Sequence, residues 1–394
     1  MSTSTSSPPL SDIAAFTNEW AALLECASPS PEGQKLTRLL QAVDWTRLLV
    51  LAEGHGVGGH LAACLRELPA DLVPLQINQK LIEHQRSQVF LTLRLTAGLF
   101  SILDRFNVEG IGALVVKGPV LAVRAYGDPA MRSYGDLDLL VRQRDIRRAT
   151  ELMIAAGFTP SVSLRAIDAG KIPGQYLFSK PDSKLLVELH NDYTLRYFPR
   201  RLPLEEFFAR PILVPLDARE APALSVEDEL VLICIHGAKH FWERLMWIAD
   251  VAALVSRQTG INWARATDSA KTVGAERMLH TGLRLAADLL RTQLPSEVLA
   301  MVQADRMAGQ LLARQICKWL PAAGYVPPAL FERAAFRLRM RGGLFSAPAY
   351  LLRLSLSPTE DDWAGSGQEK NPTFLDAVRR PFRLAKKYGR AGKS

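Results

Sequence analysis

The hydrophobic and polar positions of this chain follow two alternating spacings, which divide it into three parts. From Leu36 to Leu68, and again from Gln79 to Phe106, apolar residues recur three and four positions apart, the spacing of amphipathic helices. Short β-rich runs replace this spacing between residues 110 and 192. Helical spacing returns after an S-x-x-D capping pattern that begins at Ser225. The succession predicts an α+β protein, with helical segments on both sides of a small sheet domain.

The central part changes between the two spacings in a defined order. Strands are predicted at Ile111–Gly118, at Asp136–Val141 and in a hairpin, Gln175–His190, with helices at Pro119–Gly127 and Arg144–Phe158. Proline suits the first position of a helix because the N–H at that position has no helical partner. The order strand, helix, strand, helix, strand, strand predicts a small mixed sheet covered by helices.

Five segments follow from these patterns. They are a disordered or loosely ordered N-terminus (1–35), an N-terminal helical region (36–109), the α/β core (110–224), a C-terminal helical domain (225–345), and a loop with a basic tail (346–394). We expect the N-terminal helices to pack with the C-terminal ones.

The amino-acid composition indicates the class of protein and its cellular compartment. Of the 394 residues, 48% are hydrophobic and 22% are charged, an ordinary globular composition that supports a sizeable core. The four cysteines form no C-x-x-C pair, which indicates reduced thiols. No apolar run reaches the length of a membrane span, and the first nine residues lack the basic and apolar parts of a signal peptide. We therefore expect a cytoplasmic protein with no membrane span.

The net charge of +8 is concentrated at one end of the chain. Residues 379–394 contain seven Lys or Arg and no acid, so the rest of the protein is nearly neutral. A tail of this kind suits contact with nucleic acid or an anionic surface, and a solvated end explains it equally well.

Two carboxylates lie one residue apart at the start of an apolar strand, in the sequence RSYGDLDLLV (Arg132–Val141). Because side chains alternate along a strand, Asp136 and Asp138 point to one face, while Leu137 and Leu139 point to the other. Carboxylates this close repel each other unless a cation lies between them, and Mg²⁺ prefers such oxygen ligands. The pair therefore predicts a metal site at the rim of the sheet.

The predicted hairpin supplies a third acid. In LLVELH, Glu188 shares a strand face with His190 and interrupts an otherwise apolar run. Three carboxylates on adjacent strands suit phosphoryl transfer, in which metal ions bind the triphosphate and activate the attacking hydroxyl. We predict that Glu188 joins Asp136 and Asp138 as a metal ligand, with His190 as a contact beside them. The alternative is that Glu188 is a half-exposed strand residue paired with a lysine.

The first predicted strand ends in a lysine and a glycine, and a helix follows at once. This arrangement brings backbone N–H groups, the positive end of a helix dipole and the Lys117-Gly118 pair together, which suits an anion such as phosphate. Arg132, four residues before Asp136, offers a second cation. The alternatives are that Lys117 is a surface residue and that Arg132 forms a structural salt bridge with Asp136.

At these residues the chain resembles the DNA polymerase β-like nucleotidyltransferase superfamily, and more closely an uncharacterised bacterial nucleotidyltransferase family within it. The shared pattern is K-G-x-x-L-A, Y-G-D-P and R-x-x-x-D-L-D-L-L-V, here Lys117–Val141, followed by the Glu-Leu-His at 188–190. The sequences HGAKHFWERLMWIADVAAL, from His236, and RPFRLAKKYG, near the C-terminus, also resemble the family. The resemblance extends from about Asp44 to the end of the chain.

The resemblance implies a nucleotidyltransferase core that moves a nucleoside monophosphate from an NTP, with Mg²⁺ or Mn²⁺ bound by Asp136, Asp138 and Glu188. It also implies that Lys117, Gly118 and Arg132 lie near the nucleotide phosphates. The acceptor would be a small molecule, saccharide or peptide, in a protein accessory to polysaccharide or modified-peptide biosynthesis. The turn departs from the wider superfamily, which carries Gly-Ser there, so we expect phosphate binding to differ in detail.

A second group of candidates lies on the helix that follows Ser225. His236 and His240 are four positions apart, as in the zinc motif H-E-x-x-H, but a glycine replaces the glutamate and no third ligand is evident. This argues against a zinc hydrolase and favours histidines packed against nearby tryptophans. An alternative places Lys239 and His240, with Asp250, at the cleft beside the strand domain, where they would contact nucleotide or acceptor.

Two other functions remain open at this point. The first is a catalytically inactive descendant that binds nucleotides or partners, and the intact acids argue against it. The second is a toxin-like nucleotidyltransferase that modifies RNA, for which the basic tail is the only support. Contact with nucleic acid is therefore weakly supported by the sequence.

Overall fold

The computed structural model describes residues 17–161, 164, 167, 174–192, 202–320 and 330–340. Within these ranges, seven strands form one sheet: β1 (Ala113–Val116), β2 (Leu137–Val141), β3 (Thr159–Pro160), β4 (Gln175–Lys180), β5 (Leu185–His190), β6 (Ile212–Leu216) and β7 (Arg219–Ala223). The helices before the sheet are α1 (Asn18–Ala27), α2 (Gly33–Leu40), α3 (Trp45–Gly54), α4 (Gly58–Arg66) and α5 (Leu75–Val108).

Further helices lie between and after the strands. Those between them are α6 (Gly118–Tyr126), α7 (Ile146–Ala155) and α8 (Leu204–Ala209). Those after them are α9 (Val226–Lys239), α10 (Leu245–Arg257), α11 (Trp263–Val273), α12 (Glu276–Leu290), α13 (Ser296–Ala304), a π-helical stretch at Met307–Ala313, α14 (Arg314–Trp319) and α15 (Leu330–Arg339). The predicted α+β fold, with a mixed sheet flanked by helical segments, is confirmed. The predicted loop and basic tail at 346–394 lie outside the described residues.

The strand order of the sheet is β3-β4-β5-β2-β1-β7-β6. β2 pairs in parallel with β5 and antiparallel with β1, which places β2 near the middle of the sheet. The predicted hairpin is confirmed as β4 and β5, which are antiparallel. The two strands that carry the predicted acids are therefore direct neighbours.

The sheet has an apolar cluster on each side. Leu139 packs on one side with Phe106 of α5, and Leu140 packs on the other with Leu121 of α6. Because side chains alternate along β2, Asp138 shares its face with Leu140. The predicted acids therefore face α6 and the C-terminal helices.

The N-terminal helix α1 corrects one prediction. Residues 1–35 are expected to be disordered or loosely ordered, but Asn18–Ala27 form a helix whose Trp20, Leu23 and Cys26 are buried. These three apolar residues recur every third position along one face. The polar, Ser-rich start of the chain and the prolines after α1 conceal this short stripe.

The N- and C-terminal helices pack together, as predicted. Ser28, just after α1, donates a hydrogen bond to the Leu290 carbonyl at the end of α12 (2.9 Å). Arg291 forms an ion pair with the buried Glu25 of α1. The N- and C-terminal helices also share one apolar cluster.

A second hairpin follows the site-bearing strands, although the sequence predicts no strand after His190. β6 and β7 are antiparallel, and β7 adds to the sheet beside β1. Each strand contains a proline, Pro215 or Pro222, and proline within a run argues against a strand. This hairpin extends the sheet on the side away from the acids.

Two expectations drawn from composition can be compared with the structure. The four cysteines are free thiols, and three of them are buried. No helix in the described part of the chain combines the length and the apolarity needed to cross a membrane.

His60 of α4 makes unfolding sensitive to pH. Its side chain is buried at 3% exposure, and neither ring nitrogen has a hydrogen-bond partner among the described residues. Burial lowers the pKa of His60 to about 4, and the Arg132 guanidinium contributes to the shift. Because the folded state resists protonation, its stability is complete above about pH 6.5 and falls as the pH decreases towards 4.

We expect His60→Leu to flatten this dependence. By pH 4 the wild-type protein should have lost about 3 kcal/mol of unfolding free energy through His60 alone. Urea denaturation of both proteins from pH 7.5 to 4 measures the difference. Some dependence should remain, because burial also lowers the pKa of His55 to about 4. Identical pH profiles for the two proteins would contradict the assignment.

Candidate active site

Parallel pairing of β2 and β5 brings the predicted acids and histidine together. Asp138 lies opposite Glu188, and Leu140 lies opposite His190, in the register of the two strands. His190 Nε2 is 2.8 Å from Asp138 Oδ1 and 3.4 Å from Glu188 Oε2. One ligand atom from each of Asp138, Glu188 and His190 lies within 4.8 Å of the others. This spacing allows the three side chains to bind one metal ion.

Lys117 reaches the same point from the neighbouring strand. Val116, the last residue of β1, pairs with Asp138, so the chain turns directly beside the acid. Lys117 Nζ lies 3.0 Å from Asp138 Oδ2 and 3.4 Å from His236 Nδ1 of α9. The sequence predicts a lysine near phosphates or on the surface, whereas the structure gives a buried ion pair with Asp138.

Gly118 begins α6 with a backbone conformation that favours glycine, at φ 51°. A Cβ at this position would lie 3.8 Å from the Asp136 carbonyl oxygen, so the turn packs against the strand entrance. No side chain in the described ranges caps the N-terminus of α6. Pro119 in the first turn has no N–H, so Gly118 and Val120 supply the uncapped N–H groups next to Lys117, and the anion site stays a prediction.

Asp136 lies just before β2, because the strand begins at Leu137 and not at Asp136 as predicted. It is half-buried and lies outside the group of ligand atoms within 4.8 Å. Burial raises the pKa of Asp136, the Asp138 carboxylate raises it further, and Lys117 opposes both effects. The two acids are thus electrostatically coupled, as their spacing predicts.

The environments of Asp138 and His190 stabilise their charged forms. Burial alone would raise the pKa of Asp138, but the Lys117 ammonium and the contact with His190 hold it well below its usual range. Burial lowers the pKa of His190, whereas its hydrogen bonds to Asp138 and Glu188 raise it above its usual value. Asp138 is therefore a permanent carboxylate at the centre of the site.

A second layer of polar residues surrounds Glu188. Gln175, the first residue of β4, donates a hydrogen bond from Nε2 to Glu188 Oε2. Lys239 Nζ in turn donates to Gln175 Oε1 (3.3 Å). Lys239 thus reaches the edge of the site through Gln175, a residue that the sequence does not single out.

His240 lies among aromatic rings. Its ring centroid is 4.7 Å from that of His236 and 5.2 Å from that of Trp247, which agrees with the predicted packing against a tryptophan. Burial lowers the pKa of His240 to about 3, and the Lys239 and Lys117 charges contribute. His240 is therefore neutral, and its ring contacts that of His236, the residue beside Lys117.

Residues 41–291 match the model of a protein family described as "Uncharacterised nucleotidyltransferase". The match covers well over half of the chain and includes every site residue described above. The chain belongs to this family. No curated protein matches it.

In this member of the nucleotidyltransferase family, Arg132 has a partner that the sequence does not indicate. Its Nε lies 2.9 Å from Asp250 Oδ2 of α10, and both side chains are buried. The Tyr126 hydroxyl donates to the other oxygen of Asp250 (3.0 Å). The alternative prediction for Arg132 is a salt bridge with Asp136. Arg132 does form a buried ion pair, but its partner is Asp250.

A second buried ion pair lies beside this one. Arg124 of α6 is 2.6 Å from Glu229 of α9, and it also donates to the Leu224 carbonyl (2.8 Å). Together, the two arginines fasten α6 and the loop before β2 onto the C-terminal helices. In this family member, Arg132 therefore acts as an anchor for the segment that leads to Asp136.

We expect Arg132→Met and Asp250→Leu each to lower the unfolding free energy by about 3–5 kcal/mol, because each leaves a buried charge without its partner. The double variant should lose less than the sum of the two, since it leaves neither charge. Urea denaturation of all four proteins measures the coupling. A fully stable Arg132→Met protein with weakened NTP binding would show instead that Arg132 serves the phosphates.

Proposed function

We propose that this protein is a Mg²⁺-dependent nucleotidyltransferase that moves a nucleoside monophosphate from an NTP to an acceptor nucleophile. The observation that carries the proposal is the pairing of Asp138 with Glu188 on adjacent parallel strands, beside a lysine at a helix N-terminus. The family match over residues 41–291 supports the same reaction class.

The side chains at this point suit a hard divalent cation. Asp138 and Glu188 supply carboxylate oxygens, the ligands that Mg²⁺ and Mn²⁺ prefer, and His190 adds a nitrogen within the same 4.8 Å group. Asp136 lies next to them and is an additional ligand in this proposal. When bound, the metal would neutralise phosphate charge and lower the pKa of the attacking group.

The N-terminus of α6 is the proposed binding site for the triphosphate. Gly118 allows the phosphates to approach the backbone, and the helix dipole favours their negative charge. This replaces the serine hydroxyl of the wider superfamily by backbone N–H groups. The Arg132–Asp250 ion pair holds the loop between α6 and β2 so that Asp136 stays at the mouth of this site.

Gln175 and Lys239 position the third acid. The Gln175 amide fixes one oxygen of Glu188, and Lys239 fixes the amide. We propose that this chain orients Glu188 towards the metal and the acceptor. Saccharides and peptides are the acceptor classes to test first, and a cytoplasmic location supplies both NTP and Mg²⁺.

The experiment is a transfer assay with each of the four α-³²P-labelled NTPs, Mg²⁺ and a cell extract as the source of acceptors. We expect Asp138→Asn and Glu188→Gln each to reduce label transfer by at least about 100-fold, because each removes a charged metal ligand. Asp182→Asn is a matched control, since Asp182 is an exposed acid in the turn of the same hairpin. It should retain wild-type transfer.

The transfer assay, together with calorimetric measurement of NTP binding, separates the competing functions. NTP binding without label transfer in any extract would overturn the catalytic proposal and indicate a nucleotide-binding protein. Label that appears only in RNA would identify the acceptor as a nucleic acid. Thermal melting of each variant ensures that lost transfer reflects the site and not unfolding.

A further inference from the structure

Both carboxylate oxygens of Asp138 already have a partner from the protein itself. Oδ1 lies 2.8 Å from His190 Nε2, and Oδ2 lies 3.0 Å from Lys117 Nζ. A carboxylate that bridges two metal ions must offer one oxygen to each of them. In this site, the ammonium group of Lys117 stands where the second ion would bind.

The position of Lys117 is built into the backbone. Lys117 has φ 62° and ψ −142°, a conformation that is costly for any residue with a Cβ. Its neighbour Gly118 also has positive φ, at 51°. Together they reverse the chain between β1 and α6. A glycine would adopt the conformation of Lys117 without strain. The lysine side chain is therefore present at this position in spite of backbone strain.

Packing also holds the lysine in place. Lys117 is buried at 8% exposure, and its Nζ lies 3.4 Å from His236 Nδ1 on α9. Its backbone follows Val116, which pairs with Asp138, so the lysine side chain begins directly beside the acid. A dication at Oδ2 would then lie against a fixed positive charge.

We propose that Lys117 is a built-in cation that takes the place of one metal ion, so that this site binds a single divalent cation. The inference rests on the proposed function and specifies its cofactor. The bound ion would use Asp138, Glu188 and His190, whose ligand atoms lie within 4.8 Å of one another, with Asp136 as an additional ligand. Lys117 would supply the remaining positive charge, close to the triphosphate at the start of α6.

Counting bound Mn²⁺ tests the inference without any turnover. Free Mn²⁺ gives a six-line electron paramagnetic resonance signal that is lost on binding, so titration yields the number of ions per chain. With a non-hydrolysable NTP analogue present, analogue-only samples are subtracted. We expect one Mn²⁺ per chain for the wild type and for Lys117→Arg, which keeps the charge. We expect two for Lys117→Met, which removes it.

Two further variants make the test decisive. Lys117→Gly also removes the ammonium and suits the positive φ, so it should bind two ions even if the Met variant fails to fold. Lys184→Met removes an exposed lysine in the turn of the β4–β5 hairpin, away from the site, and should still bind one. Gaining a second ion in that variant too would overturn the specific role of Lys117.

The inference and the proposed function fail in different ways. Two Mn²⁺ ions in the wild type, or one in both Lys117→Met and Lys117→Gly, would overturn the built-in cation and leave the transferase proposal standing. No bound Mn²⁺ in any protein, with or without the nucleotide analogue, would overturn both.

Discussion

The parallel pairing of β2 with β5 is the constraint on which the site depends. It sets Asp138 beside Glu188 and brings His190 within hydrogen-bonding distance, on a face that would otherwise be apolar. Buried carboxylates are costly unless charges and hydrogen bonds compensate them. Lys117, directly after the adjacent strand β1, supplies part of that compensation through its ion pair with Asp138.

The C-terminal helices complete the site although they contribute no acid to it. Asp250 and Glu229 hold two arginines of the strand domain in buried ion pairs, and α9 supplies the histidine against Lys117. Buried ion pairs contribute little net free energy of unfolding. Removing one partner nevertheless destabilises the protein strongly, because a buried charge is then left unpaired. Here the two ion pairs join the segment from α6 to β2 to the C-terminal helices.

Strand alternation is a local property, so the sequence alone can group acids that lie on the same strand. Alternation places Asp136 with Asp138 and Glu188 with His190, whereas the meeting of the two pairs depends on the parallel pairing of β2 with β5. The partner of Arg132 could not be predicted, because Asp250 is 118 positions away and lies on a helix whose orientation no local pattern gives. The hairpin after the site was missed for another reason, since Pro215 and Pro222 conceal both of its strands.

The contact between Ser28 and Leu290 has a consequence for the synthesis of the protein. The two residues are 262 positions apart, so this contact forms only after almost three-quarters of the chain has been made, whereas α1 can pack with α2, α3 and α4 much earlier. Until then, the side of α1 that packs against α10 and α12 lacks its partners. The cluster around α1 is therefore completed late in synthesis, by helices that lie more than 200 positions further along the chain.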